Sequence, residues 1–135
     1  MLIKLLIAAF LFAHGAIHMS YLTRRPPATA SGPSWPFALD RSWVLSPLGL
    51  GRDVMHVLGL ALAIVTLAAF TVAAASVLGL APQVLWTGSV ALGAASSIAL
   101  LVLFFHPWLV LGVTIDLAIL AAALVARWTP AGLGS

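Results

Sequence analysis

Four apolar runs, each close to the length of a membrane-spanning helix, constrain the fold of this chain more than any other feature. They cover about residues 2–22, 52–78, 83–105 and 109–127 of the 135. A helix needs about 20 apolar residues to cross the hydrocarbon core of a bilayer. Only 7% of the residues are charged, whereas a soluble domain has about 25%. We therefore predict an all-α integral membrane protein, a single membrane domain over residues 1–135 that folds as an antiparallel bundle of four transmembrane helices.

A long polar segment, residues 23–51, separates the first apolar run from the second, whereas short turns join the later runs. The segment is rich in Pro, Ser and Gly, and a loop of this length in a compact protein is either functional or disordered. The aromatic residues of Trp35-Pro36-Phe37 and Trp43 favour the membrane interface. We therefore expect a long ordered loop anchored at one membrane face, and leave open whether it covers a site.

The charges point to a membrane as the main partner of the chain. The formal net charge is +3, from six basic residues against three Asp and no Glu. No basic run is interleaved with stacking aromatic residues, so nucleic acid is not expected as a partner. The absence of cysteine excludes a disulfide, a thiolate metal site and a cysteine nucleophile. We expect the protein in the lipid bilayer of a bacterial inner membrane, where it could meet a membrane-protein partner or form a homo-oligomer.

Two histidines one helical turn apart lie inside the first apolar run. His14 and His18 share a helix face because they are four residues apart, and Gly15 beside them leaves room for a neighbouring helix or a bound group. Ionisable groups inside membrane helices are costly, face the bundle interior and mark functional sites. We therefore take this pair as the centre of any site that the chain has.

Further polar groups lie at a similar depth in the other helices. Counted from the long-loop side, His18 and His56 each lie about one turn into their helices, and His14 and Asp116 about two turns. Imidazole suits zinc, copper or iron, and a buried carboxylate can act as a ligand or orient a histidine. We therefore predict a transition-metal site of His14, His18, His56 and Asp116. Gly15 stands where hydrolytic HxxxH helices carry a catalytic glutamate, so Asp116 would also be the catalytic base.

Haem b is the second cofactor that the pattern allows. Two histidines one turn apart on the same helix cannot ligate opposite sides of a single haem. His14 or His18 would therefore pair with His56 or His106 across the bundle. Small residues would make room for the macrocycle: Gly15, Gly59 and Ala63.

Three functions remain open at this point. The first is redox or electron-transfer chemistry at the metal or haem, with a lipid-soluble substrate such as a quinone arriving through the membrane. The second is a role in proton, ion or small-solute transport, in which the histidines and Asp116 form a titratable chain. The third is a non-catalytic accessory subunit, whose polar cluster fixes the helix packing. The sequence does not decide whether the chain is an enzyme.

A stripe of small residues runs along the third helix. Ser89, Gly93 and Ser97 recur every four residues, which lets membrane helices approach closely. We expect this stripe to serve packing and not chemistry.

The layout of four helices with an apolar His-Gly pattern in the first, here His14-Gly15, resembles that of the DoxX-like group of small bacterial membrane proteins. The resemblance covers the topology and this pattern. It implies a four-helix membrane fold, and no residue role or activity is carried over from it.

Overall fold

The computed structural model describes residues 1–23 and 35–133. Within these residues the protein is all-helical, and four helices are long and apolar enough to cross a membrane. This confirms the predicted fold class. The helices are α1 (Leu2–Ala16, continued by a 3-10 helix over Ile17–Leu22), α2 (Arg52–Leu78), α3 (Leu85–Leu103) and α4 (Val110–Leu120, continued by a π-helical turn over Ala121–Val125).

The predicted bounds of the first two helices agree with the structure, and those of the last two differ from it by about two residues at each end. Helix α3 ends at Leu103 because Phe104 leaves the helical conformation, with φ −111° and ψ 51°. A 3-10 turn over Pro107–Leu109 then precedes α4. Apolar sequence continues through these breaks, so the hydrophobic pattern alone does not reveal where the backbone departs from the helix.

Phe70 of α2 is the central packing residue of the bundle and is fully buried. It lies between glycines of two neighbouring helices. A Cβ added to Gly15 of α1 would lie 3.1 Å from the Phe70 Cβ, and one added to Gly93 of α3 would lie 3.2 Å from the Phe70 ring. Both glycines therefore let their helices approach the Phe70 side chain closely.

The described part of the long loop closes one end of the bundle. The Ser42 hydroxyl donates to the Leu103 carbonyl at 2.5 Å, and Trp43 Nε1 donates to the Val102 carbonyl at 2.6 Å. These carbonyls belong to the last turn of α3, where the helix itself supplies no donors. The loop thus satisfies the end of α3 and is held at the membrane face that lies nearest to His18.

Candidate functional site

Helices α1 and α4 meet through a buried pair of ionisable side chains. His14 Nε2 of α1 lies 2.7 Å from Asp116 Oδ1 of α4. Asp116 is fully buried and His14 is 9% exposed. A carboxyl group at this depth in a membrane helix requires an internal partner, which His14 supplies.

Ser97 of α3 extends this pair into a chain of four groups. Its hydroxyl lies 2.5 Å from the second carboxylate oxygen, Asp116 Oδ2, to which it donates. The same hydroxyl lies 2.8 Å from His18 Nε2. His18 and Ser97 are both almost completely buried. Three helices therefore contribute to one continuous hydrogen-bonded chain, which we call the buried network: His14, Asp116, Ser97 and His18.

The second nitrogen of His18, Nδ1, makes a hydrogen bond within its own helix. His18 Nδ1 lies 3.0 Å from the backbone carbonyl of His14, which can only accept, so Nδ1 carries a proton. This contact forms where α1 tightens into its 3-10 continuation after Ala16. The orientation of the His18 ring is therefore set by its own helix, and Nε2 is directed to Ser97.

Two proton arrangements satisfy every hydrogen bond of the buried network. In the first, His18 carries both ring protons, Ser97 accepts from His18 Nε2 and donates to an ionised Asp116. In the second, both protons have moved along the chain, so that a protonated Asp116 donates to Ser97 and Ser97 donates to a neutral His18. Both arrangements take the His14 tautomer whose Nε2 donates to Asp116 Oδ1.

Removal of one proton from the network breaks a link. With Asp116 ionised and His18 neutral, the single Ser97 hydroxyl proton faces two acceptors, His18 Nε2 and Asp116 Oδ2. It can serve only one of them. The complete network therefore holds one exchangeable proton, whose loss separates either α1 or α4 from Ser97 of α3.

A largely apolar cavity of about 160 Å³ lies against the two histidines. His14 and His18 form its polar side, and Phe37 of the long loop closes part of it. The remaining walls come from the ends of α1, α3 and α4 and from the turn before α4: Ile17, Leu101, Trp108, Leu109, Leu111, Gly112 and Ile115. The network is thus close to a space that an apolar molecule can occupy.

The structure brings together His14, His18 and Asp116 and places the other two histidines elsewhere. His56 is exposed on α2 and lines a second cavity with Tyr21 and Asp40. His106 lies before the 3-10 turn and its Nδ1 accepts from the Trp108 backbone N–H at 3.2 Å. His56 lies at a similar depth along its helix to the network residues. It faces a different direction around the helix axis, so its side chain does not reach the network.

The side chains expected to bind a metal or haem do not lie together as a ligand set in the described structure. Within residues 1–23 and 35–133, no group of three or more His, Cys, Asp or Glu side chains is arranged to hold a metal ion. The space expected for a macrocycle is filled by other side chains, since Phe70 packs on Gly15 and Leu39 packs on Gly59. Of the side chains expected as ligands, His14 and Asp116 are bonded to each other and His18 is bonded to Ser97, whereas His56 lies outside the buried network.

Ser97 is the member of the buried network that the sequence pattern did not reveal. It was expected to serve packing only, as part of the stripe with Ser89 and Gly93. Ser89 does bond only within its own helix, to the carbonyls of Leu85 and Trp86. The depth of Ser97 is level with the histidines, which separates it from Ser89 but not from Ser96.

No family model matches the chain, and the searches of curated proteins and of solved structures found no match. The site is therefore interpreted from its own geometry.

Proposed function

We propose that this chain is a proton-handling component of a bacterial inner membrane. Its buried network takes up and releases one proton in support of transport or redox chemistry. Ser97, which bonds both His18 and Asp116, is the observation that carries this proposal. A hydroxyl between a histidine and a carboxyl group can accept a proton from one side and give up its own on the other. His14 holds the carboxyl group in position from α1.

The network supports proton exchange with one membrane face. It does not extend into a continuous path for protons across the bilayer. Beyond Phe70, the described interior on the side of the chain termini is a cluster of apolar residues with no titratable member: Ala8, Leu11, Ala73, Ala74, Val77, Trp86, Val90, Ala94 and Ala123. The buried polar groups described at this end, the Ser76 hydroxyl and Trp86 Nε1, donate to backbone carbonyls and are not bonded to the buried network. The proton therefore enters and leaves on the side of the long loop.

A matched pair of serine variants tests the proposal. Ser97→Ala removes the bridge between His18 and Asp116. Ser96→Ala, one residue away on α3, removes a buried hydroxyl that lies 2.9 Å from the Thr66 hydroxyl and touches no titratable group. The protein is reconstituted in lipid, the pH is stepped, and infrared difference spectra follow the carboxylic acid and histidine bands.

Wild type and Ser96→Ala are expected to show one transition of a single proton. Because the two proton arrangements exchange through Ser97, the Asp116 carboxyl band and the His18 band are expected to change at the same pH. Ser97→Ala is expected to uncouple these changes, because no group then passes the proton between them. Identical spectra for Ser97→Ala and wild type would contradict the proposal.

Binding of a metal or haem by His14, His18, His56 and Asp116 stays a prediction, with redox chemistry as the associated function. An absorption spectrum together with elemental analysis tests it on protein purified in detergent without chelator. A haem band or one stoichiometric transition metal, lost in His14→Ala, would favour that function over proton handling. Absence of both after reconstitution with haem and divalent metals would leave the proton-handling proposal in place.

A further inference from the structure

A second cavity, of about 290 Å³, lies between the end of α1, the start of α2 and the described part of the long loop. None of the four residues of the buried network lines it. Its walls are largely aromatic and apolar, and His56 and Asp40 are its ionisable members: Tyr21, Thr23, Trp35, Phe37, Ala38, Leu39, Asp40 and His56. We call it the loop cavity.

Two hydrogen-bond donors of the loop cavity are buried without a partner. The hydroxyl of Tyr21 and Nε1 of Trp35 have no hydrogen bond to any part of the chain that the structure describes. Tyr21 as a whole is only 3% exposed. A buried donor without a partner is destabilising, so two such donors in one cavity point to a bound group with oxygen acceptors.

Three aromatic rings shape the space around these donors. Phe37 packs edge-on against Tyr21, with ring centroids 5.3 Å apart, and against Trp35, with centroids 5.5 Å apart. Aromatic walls favour a flat ring, through stacked or edge-to-face contacts. Phe37 also lines the smaller cavity beside His14 and His18, so it forms a wall between the two spaces.

The lining favours an uncharged ligand, since it has one acidic member, Asp40, and one basic member, His56. The Asp40 carboxylate disfavours an anion such as a phosphate or a carboxylate. A quaternary ammonium group offers no acceptor to the Tyr21 hydroxyl or to Trp35 Nε1, which can only donate. A neutral molecule with carbonyl oxygens satisfies both donors without placing a like charge beside Asp40.

We propose that the loop cavity binds the ring of a lipid-soluble, uncharged carbonyl compound of the quinone class, with Tyr21 and Trp35 donating hydrogen bonds to its oxygens. The cavity lies at the loop end of α1, where the ring of such a molecule can enter from the membrane while an apolar tail stays in the lipid. This proposal does not depend on the proton-handling function, since the loop cavity and the buried network share no residue.

Binding of 1,4-naphthoquinone to the protein in lipid nanodiscs tests this directly. Equilibrium dialysis measures Kd after correction for partition into empty nanodiscs. Tyr21→Phe and Trp35→Phe keep an aromatic ring and remove one donor each. Trp43→Phe is the matched control, because Trp43 Nε1 donates to Val102 and lies outside the loop cavity. Naphthalene, which has the same ring system without carbonyl oxygens, is the control ligand.

Saturable binding of naphthoquinone is expected in wild type and in Trp43→Phe. Tyr21→Phe and Trp35→Phe should each raise Kd about three- to tenfold, the effect of one lost hydrogen bond. Naphthalene should bind more weakly than naphthoquinone and equally to all four proteins. Tyr21→Phe should also leave the melting temperature unchanged or higher, because its hydroxyl has no partner in the described structure.

Three results would overturn the proposal. The first is no saturable binding of naphthoquinone beyond its partition into lipid. The second is equal affinity for naphthalene and naphthoquinone, which would show that the cavity binds the apolar rings and does not recognise the carbonyl oxygens. The third is a Kd for Tyr21→Phe and Trp35→Phe that equals the wild-type value. Loss of the infrared coupling in Ser97→Ala would persist in all three cases, so failure here is distinct from failure of the proton-handling function.

Discussion

Asp116 is the residue on which the buried network depends, because both of its carboxylate oxygens are bonded to other helices. Oδ1 accepts from His14 of α1 and Oδ2 from Ser97 of α3. The residue is fully buried in α4. A carboxyl group in this position is stable only while both partners remain, which ties the chemistry of the site to the association of three helices.

Asp116→Leu is expected to destabilise the protein by about 1–3 kcal/mol, because it leaves His14 and Ser97 without their acceptor. Asp116→Asn keeps the shape and one acceptor oxygen, so its loss should be smaller. Thermal unfolding in detergent, followed by circular dichroism, measures both. Asp53→Asn is the control, since Asp53 is exposed at the start of α2. Equal stability of Asp116→Leu and Asp53→Asn would contradict a structural role of the network.

At the scale of the helices, close approach to Phe70 decides where the network can form. Gly15 brings α1 against α2 on one side of Phe70, and Gly93 brings α3 against the other. Gly15 is adjacent to His14, and Gly93 lies one turn before Ser97. The two glycines therefore set the spacing of the helices that carry three of the four network residues.

Gly15→Ala is expected to cost about 1–3 kcal/mol of stability, as for other overpacked interiors. The added Cβ would lie 3.3 Å from the Cα of Leu67, which is backbone and cannot move without α2. Gly88→Ala in α3 is the control, because a Cβ there meets nothing within 4 Å. Thermal unfolding compares the two variants, and a Gly15→Ala protein as stable as Gly88→Ala would show that α1 does not pack as described.

Sequence reasoning recovered these helices better than it recovered the site. The apolar runs predict helices because their lengths match a bilayer, and α2 begins and ends where predicted, at Arg52 and Leu78. The positions of His14, His18 and Asp116 along their helices also predict correctly that the three residues lie at a similar depth. Rotation about the axis does not follow from depth, and this is why His56 was grouped with them although it is exposed.

The serines of α3 show a second limit of prediction from sequence. A serine in a membrane helix commonly bonds to a carbonyl of its own helix, as Ser89 and Ser96 do. Nothing local separates these residues from Ser97, which bonds to two other helices. Only the assembled tertiary structure identifies which serine joins the titratable groups.

At the scale of the whole molecule, the polar chemistry occupies the end of the bundle that the loop closes. The buried network, the cavity beside it and the loop cavity all lie there, and Phe37 borders both cavities. At the opposite end the described core is a cluster of apolar residues, and the buried Ser76 there bonds to backbone carbonyls. This asymmetry predicts that the protein exchanges protons and binds small lipid-soluble molecules at one membrane face. The rest of the bundle is expected to contact only lipid and to take no part in this exchange.

The central claim, a single proton shared along the buried network, is tested most directly by nitrogen NMR of protein labelled at histidine and reconstituted in lipid. The signals of His18 Nδ1 and Nε2 are followed across the pH range in which the protein stays folded. The account predicts that Nδ1 remains protonated throughout, while Nε2 gains and loses its proton in a transition that Ser97→Ala alters and Ser96→Ala does not. A His18 ring whose Nε2 signal is unchanged by pH and by Ser97→Ala would contradict it.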